Sequence, residues 1–183
     1  MSAPAPRVAP GGRREVGIVA WTFARLAGRV QGTAPPAVFL TLARHRGLFW
    51  GWLHFAGRLM PGGRIPRRET ELVILRVAHL AGSEYELSHH RRLGARAGVT
   101  SADVERVVTG PRAEGWSPME ELLLTATDEL HQHRDLSDRT WARLREALDT
   151  RTCLELLLLV GHYEMLATTL NTLRVEPDAP RSG

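Results

Sequence analysis

Glu71, Ser83, Glu86 and His90 interrupt a stretch of sequence that is otherwise apolar and helix-patterned. Two carboxyl groups and an imidazole in one small pocket are the parts of a general acid–base site. A carboxylate that holds an imidazole raises its basicity and selects its tautomer, which is what proton transfer near neutral pH requires. On a helix that starts near Ser83, positions 83, 86 and 90 fall within about 60° of one another, so their side chains share a face, with Leu87 beside them. Glu71 lies on the preceding helix in a stripe with Ile74, Leu75 and Ala78, while Glu69 and Arg76 point the other way. A core-facing carboxyl must be neutral with a raised pKa or hydrogen-bonded, and His90 is its nearest candidate partner. Ser83 and Tyr85 are placed to hydrogen-bond a substrate oxygen, and Arg76, Arg91 or Arg92 to hold a carboxylate.

Plainer roles compete for the same residues. Glu86 and His90 have the spacing of a helix-surface pair worth a few tenths of a kcal/mol, with Glu71 as a cap for a neighbouring helix. Glu86, His89, His90 and His162 are ordinary metal-ligand types, but nothing in their spacing selects a metal and no HExxH is present, so no metal and no cofactor is expected. His89 and His90 point about 100° apart on a helix, too far to serve one site. His131 and His133, near a helix end, suit its terminal carbonyls. Ser83 and Ser88 lack the nucleophile elbow of a hydrolase. Cys153, the single cysteine, lies in an apolar run, which excludes an intramolecular disulfide or a CxxC redox pair.

The elements that must position these residues are helical. No sustained period-two alternation is present, and the glycines fall between helical runs. Helices are expected near 15–29, 36–45, 48–59, 66–80, 84–97, 101–108, 118–133, 138–148 and 152–173. The clearest start signal is Ser117-Pro-Met-Glu120, in which Ser117 caps, Pro118 takes the first helical position and Glu120 reaches back to complete a capping box. Thr100 to Asp103 opens a short amphipathic stretch. Residues 1–14 and 175–183, rich in Pro, Gly and Arg or ending in Glu-Pro-Asp-Ala-Pro-Arg-Ser-Gly, are expected to be flexible tails around one all-α domain over 15–174. From Leu154 to Val160 apolar residues run nearly all round the helix, which suits burial on several sides and a subunit interface. The Phe49–Phe55 aromatic run is expected in the core or an oligomer seam rather than on a membrane.

Composition narrows the partners. A chain of 183 residues with 43% hydrophobic and 24% charged residues builds its own core without a disulfide or metal staple. All 24 basic side chains are arginine, yet they are scattered from Arg7 to Arg181 without an aromatic-interleaved stripe, so no nucleic-acid partner is expected and a small anionic organic molecule is. The proline-rich start is unlike a signal peptide and no apolar run reaches the ~20 residues of a membrane span, so no membrane association is expected and the cytoplasm is the expected compartment.

The constellation resembles the carboxymuconolactone decarboxylase and alkylhydroperoxidase-D-like superfamily. Its thiol branch carries Glu, eleven residues, Cys, two residues, Cys, three residues, His; Glu71, Ser83, Glu86 and His90 stand in those places. Both cysteines are replaced, so the peroxide-linked disulfide chemistry of that branch does not carry over. Ser83-Glu-Tyr-Glu-Leu-Ser-His-His90 looks more like the decarboxylase branch, with Tyr85 departing from a histidine. Val160–Asn171 is similar to the last long helix of such proteins, and the resemblance covers about residues 35 to 173. It implies an all-helical subunit of the alkylhydroperoxidase-D-like fold, assembled as a homo-oligomer, trimer or hexamer, with its active site near subunit contacts. For function it implies a cofactor-independent lyase or isomerase acting on a small carboxylated unsaturated or lactone compound. His90 is then the proton donor, Glu71 and Glu86 orient it, and Ser83, Tyr85 and Arg76 bind substrate. The alternatives are a non-catalytic helical oligomer that binds a small ligand or a protein partner, and, further off, a redox protein bridging subunits through Cys153.

Overall fold

A computed structural model describes residues 5–180 of the chain. Within these residues ten helices follow in order: α1 Arg13–Val16, α2 Ile18–Gln31, α3 Ala37–Leu42, α4 Arg46–Leu59, α5 Arg67–Leu80, α6 Glu84–Arg96, α7 Ser101–Thr109, α8 Pro118–His133, α9 Asp138–Ala147 and α10 Thr150–Leu173. Among the described residues there is no strand, only an isolated antiparallel bridge between Thr33 and Pro180. The all-α reading holds. The helix expected over 15–29 is instead two, because the chain breaks at Gly17 before α2 begins.

Local chemistry accounts for the boundaries nearest the site. Ser117 accepts from the Glu120 amide while the Glu120 side chain accepts from the Ser117 amide, the expected capping box; Thr100 and Asp103 make a second one at α7. Pro66 precedes α5, where its missing N–H costs nothing. The turn between α5 and α6 passes through Gly82, whose φ of 61° suits a residue without Cβ.

The axle of the fold is α5, which packs on α6, α7, α8 and α10. Every residue from Thr70 to Ala78 is buried. This corrects the sequence-based picture of a helix with an outward face at Arg76, and it transfers the many-sided burial expected of 152–173 to α5. Helix α10 buries Cys153, Leu156, Leu159, Val160, His162, Tyr163 and Leu166 but leaves Leu154, Leu158 and Met165 about half exposed. By length and composition alone α10 would reach across a membrane, contrary to the expectation of no such run, but its buried face lies on α4, α5, α8 and α9. Aromatic residues of α2, α3 and α4 form a satellite core in which Phe49 is buried among Phe23, Phe39 and Trp52.

The described parts of both expected tails lie on the body. The Arg7 amide donates to the Leu173 carbonyl (2.9 Å) and the Ala34 amide to Ala179 (3.1 Å). Asp178 is buried, accepting from the Ala37 amide and from the Tyr85 hydroxyl, each at 2.8 Å. Here a carboxylate at the N-terminus of α3 provides the anchor, which a composition rich in proline conceals. The outer ends of the two tails, 1–4 and 181–183, lie outside the described residues.

Candidate active site

Glu71 in the second turn of α5 and His90 on α6 meet in the core. His90 Nδ1 lies 2.7 Å from Glu71 Oε2, and both side chains are essentially inaccessible. The helices approach this closely because Gly94 has no side chain: a Cβ there would stand 3.2 Å from Val99 and 3.6 Å from the Cβ of Glu71. The second Glu71 oxygen, Oε1, is 2.7 Å from Arg67 Nη2, an ion-pair contact without the angle of a hydrogen bond. Glu71 is thus shared between a guanidinium and an imidazole. Burial lowers the His90 pKa and Glu71 opposes that shift, leaving a neutral ring. A carboxylate only accepts, so Nδ1 carries the proton and donates it to Glu71, which leaves the lone pair on Nε2.

Glu86 behaves differently. It is 2% exposed and neither carboxyl oxygen has a hydrogen-bond partner. Burial pushes its pKa up to about 8; the nearby Ser83 hydroxyl eases this a little, and the charge of Glu164 adds to it. The Ser83 Oγ itself, fully buried, stops short of a formed hydrogen bond. Glu86 is therefore a neutral carboxylic acid at pH 7, not the carboxylate that orients His90. Only Glu71 does that.

Two expected site residues go elsewhere. Arg76 is buried and grips Asp128 with Nε (2.6 Å) and Nη2 (2.8 Å), while Nη1 donates to the carbonyls of Val107 and Val108. All of its donors are directed at α7 and α8, so it holds helices together. Tyr85 turns its hydroxyl away from the dyad to Asp178, accepts from the Val38 amide (3.3 Å) and stacks on His89. Burial, and then Asp178, raises the pKa of this phenol far above its usual range. His131 pairs with Glu164 at 2.6 Å in place of the expected helix carbonyls. Cys153 is buried, with Leu144 and Leu148 carbonyls 3.8 and 4.0 Å from its sulfur, so it has no surface from which to bridge subunits. Among the described residues no cluster of three metal-ligand side chains forms.

The structure adds α10 to the site. The Tyr163 ring meets His90 edge-on at 5.1 Å between centroids, and His162 meets Tyr163 at the same separation. Burial raises the Tyr163 pKa, with the charges of Glu71 and Glu86 contributing. His162 in turn stacks on Trp52 of α4 and is held down to a pKa of about 4 by burial and by His90. A run of ring contacts thus leads from the dyad to the α4–α10 surface. There a groove of about 700 Å³ opens, lined by Phe49, Trp52, Phe55, Leu158, His162 and Met165 among others. The polar pair His162-Tyr163 inside the apolar α10 is the signal that would have pointed to it; sequence reasoning weighed His162 only as a metal ligand.

Residues 46–129, which include the dyad and Glu86, match the model of the carboxymuconolactone decarboxylase family. That stretch of the chain is similar to the family. Solved structures of similar fold extend the likeness over nearly the whole chain. An uncharacterised peroxidase-related protein from a Silicibacter species superposes with a TM-score of 0.83 at 14% identity, over 97% of this chain and 95% of that one. An alkylhydroperoxidase AhpD core protein from Ralstonia eutropha gives 0.84 at 15% identity, over 96% and 94%. A debrominase in complex with 2,3,4-tribromopyrrole gives 0.79 at 14% identity, over 96% and 93%. At these identities the likeness is one of fold. No curated protein sequence matches the chain significantly.

Proposed function

We propose that the protein is a cofactor-independent acid–base enzyme, a lyase or isomerase of a small unsaturated or lactone compound, carboxylated where the reaction is a decarboxylation. The observation that carries this is the pairing of a neutral, Glu71-bound imidazole with a neutral carboxylic acid one helical turn away. Two titratable groups pushed in opposite directions divide the labour of base and acid. In an isomerisation His90 Nε2 takes the proton from carbon and Glu86 supplies one at the other end of the conjugated system, the reverse of the donor role that the family resemblance implies for His90. In a decarboxylation the carbon–carbon bond to the carboxylate breaks, carbon dioxide leaves, the electron pair enters the conjugated carbonyl, and the Glu86 proton is delivered to carbon. Glu71 keeps the proton on His90 Nδ1 and steadies the imidazolium when it forms. The debrominase of like fold, which binds a small unsaturated ring, supports a ring compound as substrate.

Carbon dioxide release or double-bond migration on a panel of unsaturated lactones, with and without a carboxyl group, tests the reading. His90→Ala is expected to abolish turnover with the helical fold retained; full activity in that variant removes His90 from the mechanism. A non-catalytic binder is the second reading, supported by the near-complete burial of Glu71, Glu86 and His90. Silence across the panel, together with ligand-induced stabilisation, decides for it. Assembly into a trimer or hexamer is part of the proposal, supported by the exposed apolar residues Ile18, Val19, Leu26 and Val30 along α2.

A further inference from the structure

The α4–α10 groove has the size of a small-molecule site, about 700 Å³, and it opens on one side to solvent. Its walls carry a selective chemistry. The chain has 24 arginines, yet among the described residues lining the groove there is no arginine, aspartate or glutamate. The two titratable groups in the wall are His45 and His162, and burial keeps His162 uncharged at neutral pH. A carboxylate entering here would lose water without meeting a cation. An aromatic ring would meet Trp52, Phe55 and Met165, surfaces suited to stacking and sulfur–ring contacts. Two buried ring nitrogens, Nδ1 of His162 and Nε1 of Trp52, have no hydrogen-bond partner although their rings stack on each other at the groove wall. Buried polar atoms left unpaired in a native core call for an explanation, and a polar group on a bound ligand is one.

We propose that the α4–α10 groove binds a small, uncharged aromatic or conjugated ring against Trp52, Phe55 and His162, and discriminates against a free carboxylate. This rests on the acid–base reading for its purpose: the ring lies on the outer side of His162 and Tyr163, with the Glu71–His90 dyad behind them. It narrows the substrate of that site to a compound whose buried end carries no charge, and so favours the isomerase over the decarboxylase form of that reading, in which the carboxylate would have to stand beside Glu86 and His90.

Binding of the neutral fluorophore N-phenyl-1-naphthylamine, competed by 2-naphthamide or by the isosteric anion 2-naphthoate at pH 7.5, tests the groove without needing turnover. One probe site per chain is expected, with the amide competing at least tenfold better than the anion. Two variants localise it. Gly161→Trp starts from open space, since an added Cβ meets nothing within 4 Å, and should fill the groove and weaken the probe at least tenfold. Leu158→Arg, at a position 51% exposed, should reverse the preference toward 2-naphthoate. His90→Gln should leave probe binding unchanged, so a failed dyad and a failed groove are told apart. Equal competition by amide and anion, or wild-type probe binding in both groove variants, overturns the proposal. So does a wild-type assembly that Leu158→Arg dissociates, with the probe binding only the separated chains, because a second copy would then be the occupant.

Discussion

The pH dependence of stability isolates Glu86. Its carboxyl titrates near pH 8 in the folded chain, raised from 4.5 by burial. An unfolded chain gives up that proton near its ordinary value, so between these two pH values the folded state holds more protons than the unfolded one. Stability from this group is fully present below the unfolded pKa and declines as pH rises, until the folded carboxyl also ionises. At 1.36 kcal/mol per unit, the whole window is worth about 5 kcal/mol, of which roughly 2 kcal/mol falls between pH 6.5 and 8.5. The histidines work the other way. With folded pKa values lowered by burial, His90 and His162 add stability as pH rises toward 6.5, which is why the upper interval is the informative one. Glu86→Gln removes the titration and keeps the shape. Urea unfolding of the wild type and Glu86→Gln at pH 6.5, 7.5 and 8.5 should show the wild type losing about 2 kcal/mol relative to the variant across that range. Parallel curves would mean that Glu86 is already ionised at neutral pH, and the proton-donor role given to it would fall.

The other expectations concern neighbouring parts of the structure. Glu71→Gln keeps an acceptor for His90 Nδ1 but removes the charge, and turnover should drop by about 10²- to 10⁴-fold with little change in fold; an unchanged rate on the lactone panel would free His90 of its partner. Arg76→Ala should destabilise by about 3–5 kcal/mol by leaving Asp128 unpaired and two carbonyls without a donor, and Arg76→Lys should not restore the loss, because an ammonium cannot span both carboxylate oxygens. Denaturant titration checks both, and a rescue by lysine would refute the bidentate account. Tyr85→Phe should cost about 1–3 kcal/mol through the loss of its bonds to Asp178 and the Val38 amide, and speed amide exchange at 34–38. If exchange there is unaltered, the C-terminal segment is not anchored through Tyr85.

The meeting of Glu71 and His90 was legible in the sequence because it depends on local regularities. Helical periodicity puts positions 83, 86 and 90 on one face, and the amphipathic stripe of α5 turns Glu71 inward. The caps at Thr100 and Ser117 were legible for the same reason, since a box of four residues contains its own partners. Arg76 shows where such reasoning stops. A charged residue on the back of a stripe reads as exposed unless another helix covers it, and α7 and α8, far along the chain, bring Asp128 and two carbonyls to meet it. The same holds for Asp178, which a Pro-rich terminus disguised as tail. It is buried because it sits between the start of α3 and Tyr85, segments more than 90 residues away in sequence.

What the amino-acid order determined by itself was an all-helical chain with an acid–imidazole cluster facing its interior, because period, capping and turn chemistry act over a few residues. What tertiary structure alone decided was the protonation and the company of those groups. Whether a carboxyl is a charged orienter or a neutral acid depends on how many helices exclude water from it and on which distant charges stand nearby. In this protein α10 contributes to those conditions, through the charge of Glu164 on Glu86 and the ring of Tyr163 against His90, and forms one wall of the ring-lined groove beside His162.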